Sequence, residues 1–538
     1  MKKAYRLLVV CLLLGFSIQA SKDVMRFRLY LTDKHGVQPN LSTVHLSTAS
    51  LQRRHRQGIQ LDSTDLPIYA GYLHAIQAKG FQVVSSSKWL NTLVVSAADS
   101  TVLDSLSNLP FIRQTKLVWM KPIVRKSVNK PKQEKKSKWK IDSVGIYGRS
   151  ETQVEMLGLE ALHQAGFKGK GLTIALLDAG FYGVDRLEHF QDIAIRDVQD
   201  FTFPPADVYQ GPWHGSAVLS LMATCSPHQF MGTAPEASYC LYRTEDVRSE
   251  FPIEEDYWVA AAEHADSLGV DILNSSVGYT EFDLPALSYK RSDLDGKTAH
   301  ITQAATLASA KGMLVVVSAG NDGGKRWRKI CVPADAAEVL CVGSVQSDLQ
   351  RSTFGSIGPT SDGRIKPDVV AMGHSVSYIA QTGAVANGYG TSFSAPLIAG
   401  MAACIWNALP SMRSSELKSR IVESGHRFLT PDSLTGYGIP NALRLWLSVR
   451  NAFDRTYPSN FYCDYLPTAN LLQVAHFLPA PTAVKLVIYN TFGEKVLVRT
   501  MNANSVFIPV NQLPNSLYLI EYVVAGVRKA TQKFLIQR

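Results

Sequence analysis

Four short stretches hold residue types that together can hydrolyse an acyl bond: LLDAG with Asp178, WHGSAVLSLMA with His214, VVVSAGNDG with Asn321, and NGYGTSFSAPLIAG with Ser392. A serine hydroxyl is a weak nucleophile at neutral pH and needs a base beside it. An imidazole supplies that base, and a carboxylate on its far side holds the useful tautomer. An asparagine amide donates to a tetrahedral oxyanion, a contact whose removal costs roughly 3 to 4 kcal/mol. Taken singly, the first two stretches say little, because aspartates after strands are ordinary turn residues and a lone histidine is more often structural. The fourth is specific alone. Its glycine-rich approach leads into an apolar helix, so Ser392 sits at a helix N-terminus, where unpaired N–H groups and the dipole favour developing negative charge.

The elements that must position these groups follow from the apolar periodicity. Leu172 to Leu177, Ser238 to Tyr242, Ile272 to Asn274, Met313 to Ser318 and Val339 to Val342 read as buried strands. Ser216 to Ala223, Asp256 to Leu268 and Thr298 to Ala310 read as helices between them. Such alternation predicts an α/β unit over residues 141–450, a doubly wound and mostly parallel sheet covered on both faces, with chemistry at the carboxyl ends of its strands.

Other patterns flank this unit. Residues 24–120 read as a small α+β domain, with strands at Arg26 to Leu31, Phe81 to Val84, Thr92 to Val95 and Ile112 to Val118. Its helices fall near Leu51 to Gln57, Leu73 to Lys79 and Val102 to Leu106. Residues 121–140 carry nine Lys or Arg against one Glu and read as a linker open to proteolysis. Residues 456–538 break into short runs, from Leu471 to Val474 through Ala530 to Ile536, separated by turn residues, which predicts an antiparallel β-sandwich. Residues 1–20 combine Lys2, Lys3 and Arg6 with an apolar run from Leu7 to Leu14 and small residues at Ala20 and Ser21, the form of a secretory signal peptide.

The chain has 538 residues and a formal charge of +10. That excess belongs to the first 140 residues; residues 141–538 are net acidic, and the basic segment has no interleaved aromatics apart from Trp139. A nucleic-acid partner is therefore not indicated. Cys225, Cys240, Cys331, Cys341, Cys404 and Cys463 remain beyond the signal segment, too sparse for a disulfide scaffold and without a CxxC pair for zinc.

In combination, Asp178 in LDAG, His214 in HGSAV, Asn321 in SAGNDG and Ser392 in GTSFSAP resemble the signatures of the subtilisin-like serine endopeptidases, in the same Asp, His, Ser chain order. GRIKPDVVAMG, from Gly363 to Gly373, is similar to the stretch that precedes their nucleophile. The resemblance implies a triad of Asp178, His214 and Ser392 with Asn321 in the oxyanion hole. It also implies that the backbone of Ser276, Val277 and Gly278 pairs with substrate, and that Gly320 helps line the pocket for the residue before the scissile bond. Three departures stand out: Ala179 where relatives often have Thr or Ser, Met372 in place of a usual proline, and CSPHQFMGTAP without the asparagine-rich calcium loop of some relatives. Structural calcium thus has no assigned ligands here, and the chemistry itself requires no cofactor.

The flanks resemble companions of that enzyme. Residues 24–120 resemble an inhibitory propeptide, which makes 121–140 a processing region. Residues 456–538 resemble the C-terminal sorting domain of the type IX secretion pathway of Bacteroidetes-like bacteria, through Tyr457, Pro458, VKLVIYNTFGEKV, Leu517, Tyr518 and KFLIQR. The expected protein is a secreted or cell-surface endopeptidase, exported through the periplasm and made as an autoprocessed zymogen. Its partners are a protein or peptide substrate, its own propeptide and the type IX machinery. The alternative is a catalytically silent binding or adhesion protein with the same fold, whose mark would be a missing triad member. Acidic residues between 243 and 256 and between 279 and 297, Glu250, Glu254, Glu255, Asp256 and Asp283 among them, predict an acidic rim that steers basic peptides to the cleft.

Overall fold

The computed structural model describes residues 25–98, 105, 106, 108–121, 145–450, 461–466, 470–476, 482–502 and 505–537. The signal segment, the basic linker beyond Lys121, the Val102 end of one helix, Tyr457, Pro458 and Arg538 lie outside the described residues.

In the N-terminal region, strands β1 (Met25–Leu31), β2 (Gln82–Ser87), β3 (Thr92–Ala97) and β4 (Ile112–Met120) form an antiparallel sheet ordered β2-β3-β1-β4, accompanied by helices α1 (Thr48–Gln57) and α2 (Ala70–Ala78). Side chains alternate across β1 with the period of two that a strand imposes. Phe27, Leu29 and Leu31 enter a core with Ile76, Phe81, Leu93 and Val95, so Arg26 and Arg28 are turned to the opposite face.

That opposite face meets the central unit, whose strands are β5 (Thr173–Asp178), β6 (Ala194–Asp200), β7 (Ser238–Arg243), β8 (Ile272–Ser275), β9 (Leu314–Ser318), β10 (Leu340–Val345) and β11 (Val369–Met372). They form one parallel sheet in the order β11-β10-β9-β8-β5-β7-β6. Five of the strands match the apolar runs within three residues at either end. The other two, β6 and β11, are the two edge strands of the sheet, and β6 is half-exposed.

Helices cover both faces. Ile174, Leu176, Leu241 and Val316 lie on the face that α3 (His214–Ala223) helps cover, while Ala175, Leu177, Leu273 and Val317 face α4 (Ile253–Leu268) and α5 (His300–Ala310) on the other side. Also on the first face lie α6 (Thr391–Ala408), α7 (Ser414–Glu423) and α8 (Ala442–Arg450). Between β11 and α6, strands β12 (His374–Ile379) and β13 (Val385–Tyr389) form an antiparallel hairpin. This is the doubly wound parallel sheet that the sequence implies.

The C-terminal strands build an all-β sandwich. One sheet is β14 (Phe461–Leu466), β15 (Leu471–His476) and β18 (Ser505–Pro509), in the order β14-β15-β18. The other is β16 (Val484–Tyr489), β17 (Lys495–Met501), β19 (Ser516–Val524) and β20 (Val527–Ile536), in the order β17-β16-β19-β20. Leu472, Val474, Leu486, Ile488, Ile520 and Tyr522 fill the space between them.

One sequence expectation changes. Helix α4 begins at Ile253 rather than Asp256, so Glu254, Glu255 and Asp256 occupy its first turn and are buried instead of standing on an acidic rim. The N-terminal region supplies the counter-charge of Glu255 and Asp256, and that of Asp266 further along α4. Arg28 donates to Asp256 at 2.7 and 2.6 Å and to Glu255 at 3.3 Å, while Arg54 pairs with Asp266 at 2.6 Å and Arg53 with the same carboxylate. The six cysteines carry free thiols, four of them buried. Among the described residues no group of three or more His, Cys, Asp or Glu side chains is arranged to hold a metal, and no helix is long and apolar enough to cross a membrane.

Candidate active site

Asp178 is the last residue of β5, a central strand buried on both faces. Its Oδ1 accepts the N–H of Ala179 at 2.7 Å, which fixes the carboxylate at the strand's carboxyl end. His214 is the first residue of α3, and Gly215 beside it donates its N–H to the carbonyl of Gly180 at 3.0 Å. A Cβ on Gly215 would strike that carbonyl and the ring of Phe181, so only glycine lets the histidine helix abut the loop after β5.

This abutment brings His214 Nδ1 to 2.8 Å from Asp178 Oδ1, and Nε2 lies 3.1 Å from Ser392 Oγ. Burial lowers the imidazole's pKa, but the charge and hydrogen bond of Asp178 outweigh it and hold the pKa above the ordinary value. Trp213 and Phe393 flank the ring at centroid distances of 6.4 and 6.1 Å, and Tyr378 stacks between them at 5.5 and 5.3 Å.

Ser392 is the second residue of the 18-residue helix α6, entered through Gly390 at φ 153°. A side chain on Gly390 would crowd Ser392 Oγ, its would-be Cβ standing 2.9 Å from that atom. Within the first turn the backbone N–H of Ser392 has no intrahelical acceptor. Pro396, inside the same turn region, has no N–H to give the carbonyl of Ser392 four residues earlier; the hydroxyl of Ser276 donates to that carbonyl instead, at 3.0 Å.

Asn321 follows β9. Its Oδ1 accepts the N–H of Thr391 at 2.9 Å and the hydroxyl of Thr391 at 3.2 Å, an arrangement that assigns Nδ2 to the side of Gly390 and Ser392. Gly320, at φ 105°, donates its N–H to Thr391 Oγ1 at 3.0 Å. Ser276, Val277 and Gly278 run on from β8, and Tyr279 after them pairs with Val332 through two backbone hydrogen bonds. All eight residues singled out in the sequence therefore gather at the carboxyl ends of β5, β8 and β9 and the N-termini of α3 and α6.

Two neighbours escaped the sequence reading. Thr391 ties the Gly320–Asn321 turn to the N-terminus of α6, and its place beside Ser392 in GTSFSAP was the available signal. Glu245, after β7, accepts from the hydroxyl of Tyr279 at 2.6 Å and of Thr244 at 3.0 Å; burial pushes its carboxyl up to about 8.

An imidazole between a carboxylate and a hydroxyl, with an amide and a helix N-terminus on the hydroxyl's far side, is equipped for acyl transfer. Residues 169–438, half of the chain, match the sequence profile of the subtilase family, and residues 26–140 match that of the Bacteroidota peptidase S8 propeptide domain. Subtilisin NAT of Bacillus subtilis subsp. natto is 27% identical over 291 residues, covering 54% of this chain and 69% of that one. Serine protease AprX of Bacillus subtilis (strain 168) is 26% identical over 301 residues, with coverages of 51% and 66%. Among solved structures, the epidermin leader peptide processing serine protease of Staphylococcus aureus superposes with a TM-score of 0.56 at 15% identity, over 81% of this chain and all of that one, a likeness of fold.

Proposed function

The chain belongs to the subtilase family of serine proteases made with a propeptide, and from that premise we propose that it is a secreted endopeptidase working through Asp178, His214 and Ser392. The observation that carries this reading is the continuous hydrogen-bonded line from Asp178 through His214 to Ser392, at 2.8 and 3.1 Å.

The steps follow from the geometry. Ser392 Oγ attacks the peptide carbonyl as His214 Nε2 takes its proton, and Asp178 stabilises the imidazolium. The oxyanion accepts from Asn321 Nδ2 and the N–H of Ser392. Collapse breaks the C–N bond, and His214 returns the proton to the departing amine. Water, deprotonated by the same imidazole, then attacks the acyl-enzyme and releases the carboxylate product with Ser392 restored. Substrate backbone runs beside Ser276, Val277 and Gly278, with Gly320 across the gap.

On this reading the N-terminal domain is the enzyme's own inhibitor. Its support is the buried seam with α4, where Arg28 meets Asp256 and the N–H groups of Lys88 and Trp89 donate to Glu263 at 3.0 and 2.9 Å. The end of β4 packs on Phe251 and Ile253 at the start of α4. We assign residues 121–140 to processing, 1–20 to export, and 456–538 to sorting by the type IX machinery onto the cell surface or into the medium. Active-site titration with a fluorophosphonate tests the enzyme: labelling at Ser392 together with peptide hydrolysis is expected. A folded, processed protein that does neither would be the silent binding module.

A further inference from the structure

A protease holds the residue before the scissile bond in whatever gap opens beside its nucleophile. On the endopeptidase reading, on which this inference rests, that gap lies between two backbone segments, Ser276–Gly278 and Ala319–Asn321. Both are tied to the nucleophile's own turn: Ser276 bonds the carbonyl of Ser392, and Gly320 and Asn321 bond Thr391.

A third segment laces the two walls together behind the gap. Cys331 donates its N–H to the carbonyl of Ala319 at 3.0 Å, and Val332 exchanges backbone hydrogen bonds with Tyr279 at 3.1 and 2.9 Å. The side chain of Cys331 stands in the angle where the walls converge. A Cβ placed on Gly278 would collide with its Sγ, and one placed on Gly320 would stand 3.3 Å from it. The two glycines strip both walls to backbone; the Cys331 thiol fills the space against Gly278, and it shares the space against Gly320 with the Ser356 hydroxyl, which would stand 2.9 Å from the same Cβ. Cys331 is 4% exposed, so nothing larger than the thiol fits at that depth without displacing it.

We propose that Cys331 is the floor of the primary specificity pocket and restricts the residue before the scissile bond to small, uncharged side chains such as alanine and serine. The thiol acts by bulk. Burial pushes its pKa up to about 12, so it is neutral at working pH. The nearest carboxylates are already engaged: Asp322 pairs with Lys325 at 2.7 Å, and Asp335 accepts from Gly296 N–H at 2.8 Å and Thr302 at 2.6 Å.

The test uses the full chain matured by its own processing, titrated with fluorophosphonate, and assayed on peptide p-nitroanilides that differ only in Ala, Leu, Phe or Lys before the cleaved bond. Wild type is expected to show its highest kcat/KM with Ala. Cys331→Gly is expected to raise the Phe-to-Ala ratio by about 30-fold or more, since even one methylene in such a pocket is worth about 10- to 200-fold. Cys331→Ala, which keeps a Cβ in place, is expected to fall between and serves if the glycine variant does not fold. Enzyme that titrates fully yet prefers Phe, Leu or Lys would overturn the proposal, as would an unchanged ratio in either titrating variant. Wild type that hydrolyses no peptide and takes no label would overturn the protease reading and this inference with it.

Discussion

The hydroxyl of Ser276 donates to the main-chain carbonyl of Ser392 at 3.0 Å, in the place of the N–H that Pro396 lacks. A proline inside a helix leaves the carbonyl four residues earlier without its donor, and here that carbonyl belongs to Ser392, the proposed nucleophile. The segment after β8 therefore supplies the donor that the first turn of α6 lacks.

Removal of that hydroxyl leaves a buried carbonyl unsatisfied. Ser276→Ala is expected to cost about 1 to 3 kcal/mol in urea unfolding. Pro396→Ala restores an N–H at the right position, so adding it to Ser276→Ala is expected to recover part of the loss. Strictly additive effects in the double-mutant cycle would contradict the substitution of one donor for the other.

The raised pKa of His214 sets the acid limb of activity. The imidazole must be neutral to take the proton from Ser392, so kcat/KM is expected to rise with pH through a value above the ordinary imidazole figure of about 6.5. Asp178 is the cause of the rise. Asp178→Asn is expected to shift the limb to lower pH and to reduce kcat by about four orders of magnitude. A limb that stays in place in the variant would remove Asp178 from this role.

The seam between the N-terminal region and α4 depends on burial rather than on the number of ion pairs. Arg28 is fully buried and spans Asp256, Glu255 and the carbonyl of Pro252, so Arg28→Ala strands two carboxylates and is expected to destabilise the uncleaved chain by about 3 to 5 kcal/mol. Arg56 is 58% exposed and 3.7 Å from Asp271, so Arg56→Ala is expected to change stability by less than about 1 kcal/mol. Thermal unfolding of both variants in a Ser392→Ala background, where processing cannot confuse the readout, compares them directly. Equal effects would contradict the ranking.

The α/β core was legible because its strands are apolar on both faces and its chemistry-bearing residues end those strands or begin helices. Asp178 is the last residue of β5, Asn321 sits just beyond β9, and Ser392 just inside α6. What the sequence hid were relationships between distant segments. Glu255 and Asp256 read as solvated loop acids because their partner, Arg28, lies more than 220 residues away on a different domain. Strand β6 went unseen because a half-exposed edge strand does not carry the continuous apolar run of a central one. Cys331 carried no signal at all: its importance comes from the two glycines it touches, Gly278 and Gly320, which only the fold brings beside it.

The central claim, a self-processing serine endopeptidase, is tested most directly by intact mass and N-terminal sequencing of the secreted full-length protein, wild type beside Ser392→Ala. The account predicts that wild type loses the region before about residue 140 and that Ser392→Ala, folded and secreted alike, keeps it. Ser392→Ala processed at the same bond and to the same extent as wild type, in a purified preparation free of other proteases, would contradict it.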